Sequence, residues 1–364
     1  MRDINTLGGE QLLSQKSTVN HSSRLWRFLS KEKHRISPLL ILTHDYPDPD
    51  ALASAYALRF LVRRVFGIRS RIAYGGIIGR KENREMVRIL HLPVHRLRVS
   101  DLARYQHFAL VDTQPDFRNN SFPRDKKATI VIDQHAATRG PSAELSIVES
   151  EYGATSTLLA QTLLARGMQI PSKVATALIY GILSDTLHLY RVGRTEDVEA
   201  YLSLLPLCDM RALARIENPS RSRRFFATLV KGITGANVCR HLIVSHLGPV
   251  ENPDLVSQIA DVLLTTEGMN VSFCTCRYGP HLHVSLRMAH HQSRAGKILQ
   301  DVVTDHGQAG GHGQIAGGKV IVGNRASEHQ WTTVERSLAA RLKNRLRIPR
   351  ASRFRRAFER DRHI

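Results

Sequence analysis

His44, Asp45, Asp48 and Asp50 fall within seven residues of one another in the stretch HDYPDPD. Carboxylates and an imidazole packed this closely repel one another or compete for protons unless a cation sits among them. Metal chemistry is therefore the first expectation. A plainer reading assigns Asp48 or Asp50 as the cap of a helix beginning near Ala51, but that accounts for one aspartate and not for the cluster. Further along, Asp112, the run Asp133-Gln134-His135 and Asp185 each close an apolar stretch. Acidic and imidazole groups converging from separate loops are what a two-cation hydrolytic site requires, with one carboxylate bridging the ions and a water activated between them.

The elements that must bring these groups together can be read from the apolar pattern. Leu39 to Thr43, Arg71 to Tyr74, His107 to Val111 and Ala128 to Ile132 read as β-strands. Helix-like segments run from Ala51, from Glu82 to Leu90, from Glu151 to Arg166 and from Ser172 to Leu183. Strand and helix in alternation predict an α/β fold with a parallel sheet, whose ligands gather beyond the carboxyl ends of the strands. Each candidate residue lies at such an end except Asp185, which closes a helix-like run. Gly75-Gly76 to Arg80 should face the same side, with Arg80 able to meet a phosphate.

Beyond Arg224 the texture changes to a smaller α+β unit. Strands are expected at Arg240 to Ser245, Asn270 to Arg277 and His281 to Met288, with helices at Pro253 to Thr265 and Ser293 to His306. The loop Ala309 to Gly318, AGGHGQIAGG, surrounds His312 with glycines whose backbone N–H groups could approach an anion. The resulting division is an N-terminal arm and helix (1–35), a catalytic domain (36–215), a linker (216–235), a substrate-binding domain (236–335) and a basic tail (336–364).

Length and composition bound the rest. The 364 residues suffice for two domains, and 42% apolar content is ordinary for a globular chain. No apolar run approaches the roughly 20 residues that span a bilayer, and the acidic Asp3 and Glu10 do not fit a secretory leader. A cytoplasmic protein without a membrane contact is expected. The four cysteines are too few and scattered for a disulfide framework, and Cys274 and Cys276 are expected to be a buried structural pair. Net charge is +20, and eleven Lys or Arg against Glu359 and Asp361 give +9 to residues 336–364 alone. This tail is expected as a helix packed through Leu338, Leu342 and Leu346, followed by an unstructured end, with attraction for nucleic acid as its possible function.

Taken in order, HDYPDPDALAS, the aspartate of ALVDTQP, IDQHA, GILSDT and GGHGQIAGG resemble the motifs of the DHH family of phosphoesterases. The likeness is to the two-domain branch that includes nano-RNases, pAp phosphatases and cyclic-dinucleotide phosphodiesterases, and it covers Leu39 to Val322. The resemblance implies a Rossmann-like parallel-sheet DHH domain followed by a smaller α+β substrate-binding domain, with manganese or magnesium in the cleft. It implies that His44 and Asp48 hold one metal, Asp50 and Asp185 the other, and that Asp112 bridges. In the family triplet the first histidine ligates the second metal. Gln134 stands there in this chain, a neutral and weaker ligand. Asp133 would orient its loop, and His135 would meet the scissile phosphate. Arg287, Gly310, Gly311, His312 and Gly313 would bind the phosphate and distal nucleotide of the substrate.

The implied substrates are short RNA, a linear or cyclic dinucleotide, or a nucleoside bisphosphate. The implied reaction is in-line attack by metal-activated water, with Asp112, Asp133 and His135 as the catalytic set. Gln134 motivates the alternative of a catalytically weak nucleotide or nucleic-acid sensor. A homodimer is compatible with the sequence.

Overall fold

A computed structural model describes residues 21–117, 119–136, 142–290, 294–303, 307–312 and 314–358; for Gly307 and His312 it describes the backbone alone. Two compact units divide the chain, 1–219 and 220–364.

Unit 1 holds a six-stranded sheet: β1 Leu39–Leu42, β2 Ser70–Tyr74, β3 Val94–Arg96, β4 His107–Val111, β5 Ala128–Asp133 and β6 Ala143–Val148. Every pairing is parallel, in the order β3-β2-β1-β4-β5-β6. β1 is LLIL with all four residues buried, the pattern of a central parallel strand covered on both faces. Leu39 and Ile41 enter the large core shared with helices α1 (21–32), α2 Pro49–Arg64, α5 Thr155–Leu164 and α6 Ser172–Asp185. Leu40 and Leu42 point the other way, toward Tyr105, Phe108 and Phe122. Chain order reverses between β1 and β4, so the loops after these strands diverge and open a crevice at their carboxyl ends.

Two helices fill the remaining edge, α3 Lys81–Leu90 and α4 Val99–Arg104, and α7 Thr195–Leu204 and α8 Met210–Glu217 complete the unit. The short edge strand β3 carries no apolar alternation strong enough to predict; β6 does alternate, burying Leu145 and Ile147, but lies outside the expected strands.

Unit 2 is built on a mixed sheet. Its strands are β7 Asn237–Cys239, β8 Leu242–Pro249, β9 Val271–Tyr278, β10 His281–Met288, β11 Gly307–His312, β12 Ile315–Ile321 and β13 Arg355–Arg356. The order is β11-β12-β10-β9-β8-β7-β13, with only β8 and β9 parallel. Helices α9 Arg223–Thr234 and α10 Leu255–Leu264 supply Phe225, Val256, Ile259 and Leu263 to one core, which also encloses Cys274 and Cys276. Helices α11 Ala295–Val302 and α12 Glu328–Arg345 supply Leu299, Trp331, Leu338 and Leu342 to the other.

Three expectations are corrected here. The stretch expected as a linker, 216–235, contains α9, which packs on the core of unit 2. The helix expected at the start of the tail is present as α12, packed through Leu338, Leu342 and Leu346, but the chain beyond it, expected to be unstructured, returns to the sheet as β13. The expected glycine loop is a hairpin: Gly310 faces Gly317 and Gly311 faces Ala316 across an antiparallel pair. Facing glycines remove side chains from both strands, which lets α11 press close. A Cβ on Gly296 would lie 2.1 Å from the Gly311 carbonyl oxygen. Among the described residues no helix is long and apolar enough to cross a membrane.

Candidate metal centre

The β1–α2 loop begins with His44. Its Nδ1 lies 2.9 Å from the Asp45 carbonyl, which can only accept, so this nitrogen carries a proton and Nε2 faces inward. Nε2 is 3.6 Å from Asp48 Oδ2 and 3.6 Å from Asp112 Oδ2. These separations are too long for hydrogen bonds, and they are the spacing of ligands that share one ion at about 2.1 Å each. Asp48 divides its work between two oxygens. Oδ1 accepts from Ala51 N at 3.0 Å and caps α2, while Oδ2 faces His44. The capping reading is met by Oδ1, and Oδ2 is the atom turned toward His44.

Loops from three strands fix this turn. Asp45 N donates to the Asn119 carbonyl at 2.6 Å, and the Asp45 carboxylate accepts from Ser121 Oγ at 2.9 and 3.0 Å. Gly75 after β2 completes the brace, because a Cβ there would sit 1.8 Å from Asp45 Oδ1.

Asp112, the first residue after β4, stands at the middle of the group. It is 1% exposed, and its backbone is left-handed, φ +58°, at a cost of about 1 kcal/mol. Oδ1 accepts from Thr155 Oγ1 at 2.9 Å and lies 3.6 Å from His135 Nδ1. Oδ2 is buried with no hydrogen-bond partner. Burial and the neighbouring aspartates Asp50, Asp48, Asp185 and Asp133 push its carboxyl well above the usual range. At the end of β5, Asp133 Oδ1 holds His135 Nδ1 at 2.8 Å, and this contact raises the imidazole pKa despite burial. Asp133 Oδ2 accepts from Gln114 Nε2 at 2.7 Å, and the same amide reaches the His135 carbonyl at 2.7 Å. Burial opposes a charge on His44, but Asp48 outweighs it and lifts the pKa to about 9; Asp48 itself is drawn down to about 2 by His44, against burial.

Two groups with metal-ligand spacing result, His44–Asp48–Asp112 and Asp112–Asp133–His135, and Asp112 belongs to both. An orphaned buried oxygen of Asp112 facing His44, with His135 against the other oxygen and carboxylates around both, fits a divalent cation.

Residues 38–182 match the DHH family, N-terminal domain. This stretch, within unit 1, is the part of the chain that is similar to that domain. Over 316 residues it is 34% identical to an uncharacterized protein of Methanocaldococcus jannaschii, covering 86% of this chain and 64% of that protein. A probable manganese-dependent inorganic pyrophosphatase of Streptococcus pyogenes is 25% identical over 158 residues, 42% of this chain and 50% of that one. The chain therefore spans about two thirds of the first of these relatives and half of the second. The fold is shared with an exopolyphosphatase-related protein from Bacteroides fragilis, at a TM-score of 0.70 and 14% identity, covering 90% of this chain and 97% of that one.

Two more of the expected ligands in unit 1, Asp50 and Asp185, hydrogen-bond within the protein. Asp50 is 0% exposed and turns both oxygens to the start of α5, accepting from Thr155 N at 2.7 Å and Ser156 N at 2.8 Å. A carboxylate at a helix N-terminus is favoured by the free N–H groups and the helix dipole. Even so, burial and Asp48 push its pKa to about 6. Asp185 closes α6, and its Oδ2 accepts from Gln134 Nε2 at 3.2 Å. Burial and the carboxylates of Asp48 and Asp50 raise its pKa well above the usual value. Directly after it, Leu187, His188 and Leu189 make a left-handed turn at φ 50°, 56° and 65°.

In unit 2, Arg287 is 5% exposed; its Nε bonds Asp261 Oδ1 at 2.5 Å and its Nη1 reaches the Ala316 carbonyl at 3.3 Å. Arg287, expected as a phosphate ligand, is buried on β10 and paired with Asp261 of α10. Gly310 and Gly311 are paired in β11; the His312 side chain and Gly313 lie outside the described residues. Gln114, Thr155 and Ser156 are site residues that the sequence did not single out. Only the position of Gln114, two residues after Asp112, hints at its role.

Proposed function

We propose that the chain is a metal-dependent hydrolase of phosphoric esters or anhydrides, acting on small nucleotide substrates such as a short RNA, a dinucleotide or a nucleoside bisphosphate. The observation that carries this reading is Asp112, buried between His44 and His135 with one oxygen unsatisfied. His44, Asp48 and Asp112 would hold one divalent ion, and Asp112 with Asp133 and His135 lines the place for a second. Manganese is the cation named for the streptococcal relatives, and magnesium is the alternative for an oxygen-rich set. Divalent ions bound there supply an activated water and neutralise phosphoryl charge.

The chain's own residues then have distinct roles. Asp45, braced by Ser121 and Gly75, keeps the His44 turn in place. Gln114 and Asp133 orient His135, whose side chain is 46% exposed and so can reach a substrate. Held at Nδ1 by Asp133, His135 would offer Nε2 to a hydrogen bond with a phosphoryl oxygen.

The test is hydrolysis of a labelled RNA dinucleotide, pAp, cyclic di-AMP and inorganic pyrophosphate with manganese or magnesium, beside Asp112→Ala. Metal-dependent turnover that falls by about a thousandfold or more in the variant is expected, several kcal/mol of charge stabilisation being lost. Turnover of pyrophosphate alone would contradict the nucleotide assignment. A second reading, a nucleotide sensor, is favoured by one observation: the Gln134 amide hydrogen-bonds Asp185, so an amide takes the position in which a cation would otherwise balance that acid. Tight nucleotide binding without turnover under any ion would favour it.

A further inference from the structure

We propose that the segment Arg347–Phe358, ending in β13, is a binding surface for single-stranded nucleic acid that uses none of the acid-cluster residues. It contains five arginines, no lysine and no acid, interleaved with Phe354 and Phe358: RIPRASRFRRAF.

A basic terminal run is ordinarily a solvated, unstructured end. This one is fastened to unit 2 at four places. Ile348 is buried, and its N–H reaches the Lys343 carbonyl at 3.1 Å. Lys343 Nζ donates to the Arg350 carbonyl at 3.0 Å and to that of Ser352. Arg355 and Arg356 pair with Val238 and Asn237 of β7, and Ala357 N donates to the Ala236 carbonyl at 2.9 Å. Backbone bonds therefore hold like charges side by side against their mutual repulsion.

The arginines are not used inside the protein. Arg347, Arg350, Arg353, Arg355 and Arg356 are all exposed, and none makes an ion pair with a described residue. Arg345, one turn earlier, is by contrast engaged with Asp301 at 2.7 Å. Phe354 is 37% and Phe358 47% exposed, rings that a merely structural tail would have buried. Along β13 side chains alternate, so Phe354 and Arg356 share one side and Arg355 takes the other.

Guanidinium groups carried on a fastened backbone beside exposed aromatic rings are what an unpaired strand needs: phosphates meet the charges and splayed bases stack on the rings. A duplex offers no free base faces, and two half-exposed rings without a contiguous apolar face make a poor membrane anchor.

The test uses the full chain in EDTA, so that hydrolysis cannot consume the probe. A fluorescent oligouridylate, an RNA duplex and phosphatidylserine vesicles are titrated at several salt concentrations. Preference for the single strand is expected. Arg353→Gln/Arg355→Gln/Arg356→Gln should weaken it about tenfold or more and reduce the salt slope by about 2, at roughly 0.7 per phosphate contact. Phe354→Ala/Phe358→Ala should weaken it about fivefold or more with the slope unchanged. Thermal unfolding verifies the fold of both. If the triple variant unfolds, Arg353→Glu, outside the β13 pairing, is read the same way. Wild-type affinity in the arginine variants overturns the proposal. So does equal binding of duplex with no effect of the phenylalanines, or vesicle binding that alone depends on these residues.

Discussion

Arg277 in unit 2 lies 3.2 Å from Glu335 and 2.6 Å from Glu328, and Arg287 bonds Asp261, so each deeply placed charge meets an opposite one. In unit 1, Asp50, Asp112 and Asp133 are at least as buried, yet among the described residues no lysine or arginine pairs with any of them. Asp50 is compensated by a helix N-terminus, Asp133 by an amide and an imidazole, and Asp112 only in part. Paired burial of charge holds unit 2 together, whereas the unpaired carboxylates of unit 1 weaken the metal-free fold and create the demand for cations. The same contrast explains why Arg287, expected to bind substrate, belongs to the first kind.

The contrast is sharpest if one member is removed from each side. Asp261→Ala leaves Arg287 buried without its partner, and urea unfolding should show a loss of about 2–4 kcal/mol. Asp112→Asn, in metal-free protein, should have the opposite sign and raise the unfolding midpoint, because it relieves repulsion among buried acids. Equal destabilisation by both would break the distinction. Next in size, Gln114→Ala removes the amide that ties Asp133 to His135. Turnover should fall about 10–100-fold with the first metal group intact, as seen when a ligand's supporting hydrogen bond is lost. Unchanged turnover would make Gln114 a packing residue.

The smallest effect concerns His246 of β8, whose Nδ1 is 2.8 Å from Thr275 Oγ1. Burial opposes its imidazolium, and Glu335 offsets this only in part because Arg277 and Arg336 lie nearby, so its pKa is lowered. The folded state then binds fewer protons than the unfolded one. Its stabilising contribution is complete above the unfolded pKa of about 6.5 and is lost as pH falls through the window below it. His246→Gln should flatten the stability profile there by about 1 kcal/mol or less; an unaltered profile would show that His246 does not contribute.

The parts of the fold that could be read in advance are those where chemistry is local. β1, β4 and β5 are central parallel strands built mostly of apolar residues, and His44, Asp48, Asp112 and Asp133 mark their ends by residue type. β3 and β6 lie at the sheet edges, where partial exposure permits His95 or Glu144; β3 is three residues long and shows no period, and the alternation of β6 rests on Leu145 and Ile147 alone. The AGGHGQIAGG stretch reads as a loop because glycine has weak strand preference, and only the antiparallel partner shows why small residues are placed opposite one another. The role of Asp50 was hidden for a different reason. Its hydrogen-bond partners Thr155 and Ser156 lie 105 and 106 residues away and are brought to it by α5. Nothing in TLHLYR signals three consecutive left-handed residues, which normally favour glycine.

The central claim is that the acid cluster of unit 1 exists to hold divalent cations. Calorimetric titration of metal-stripped full-length protein with manganese, beside Asp112→Ala, tests it most directly. Saturable binding that raises the unfolding midpoint and is lost in the variant is the predicted result. Absence of saturable binding, or equal binding by the Asp112→Ala protein, would contradict it.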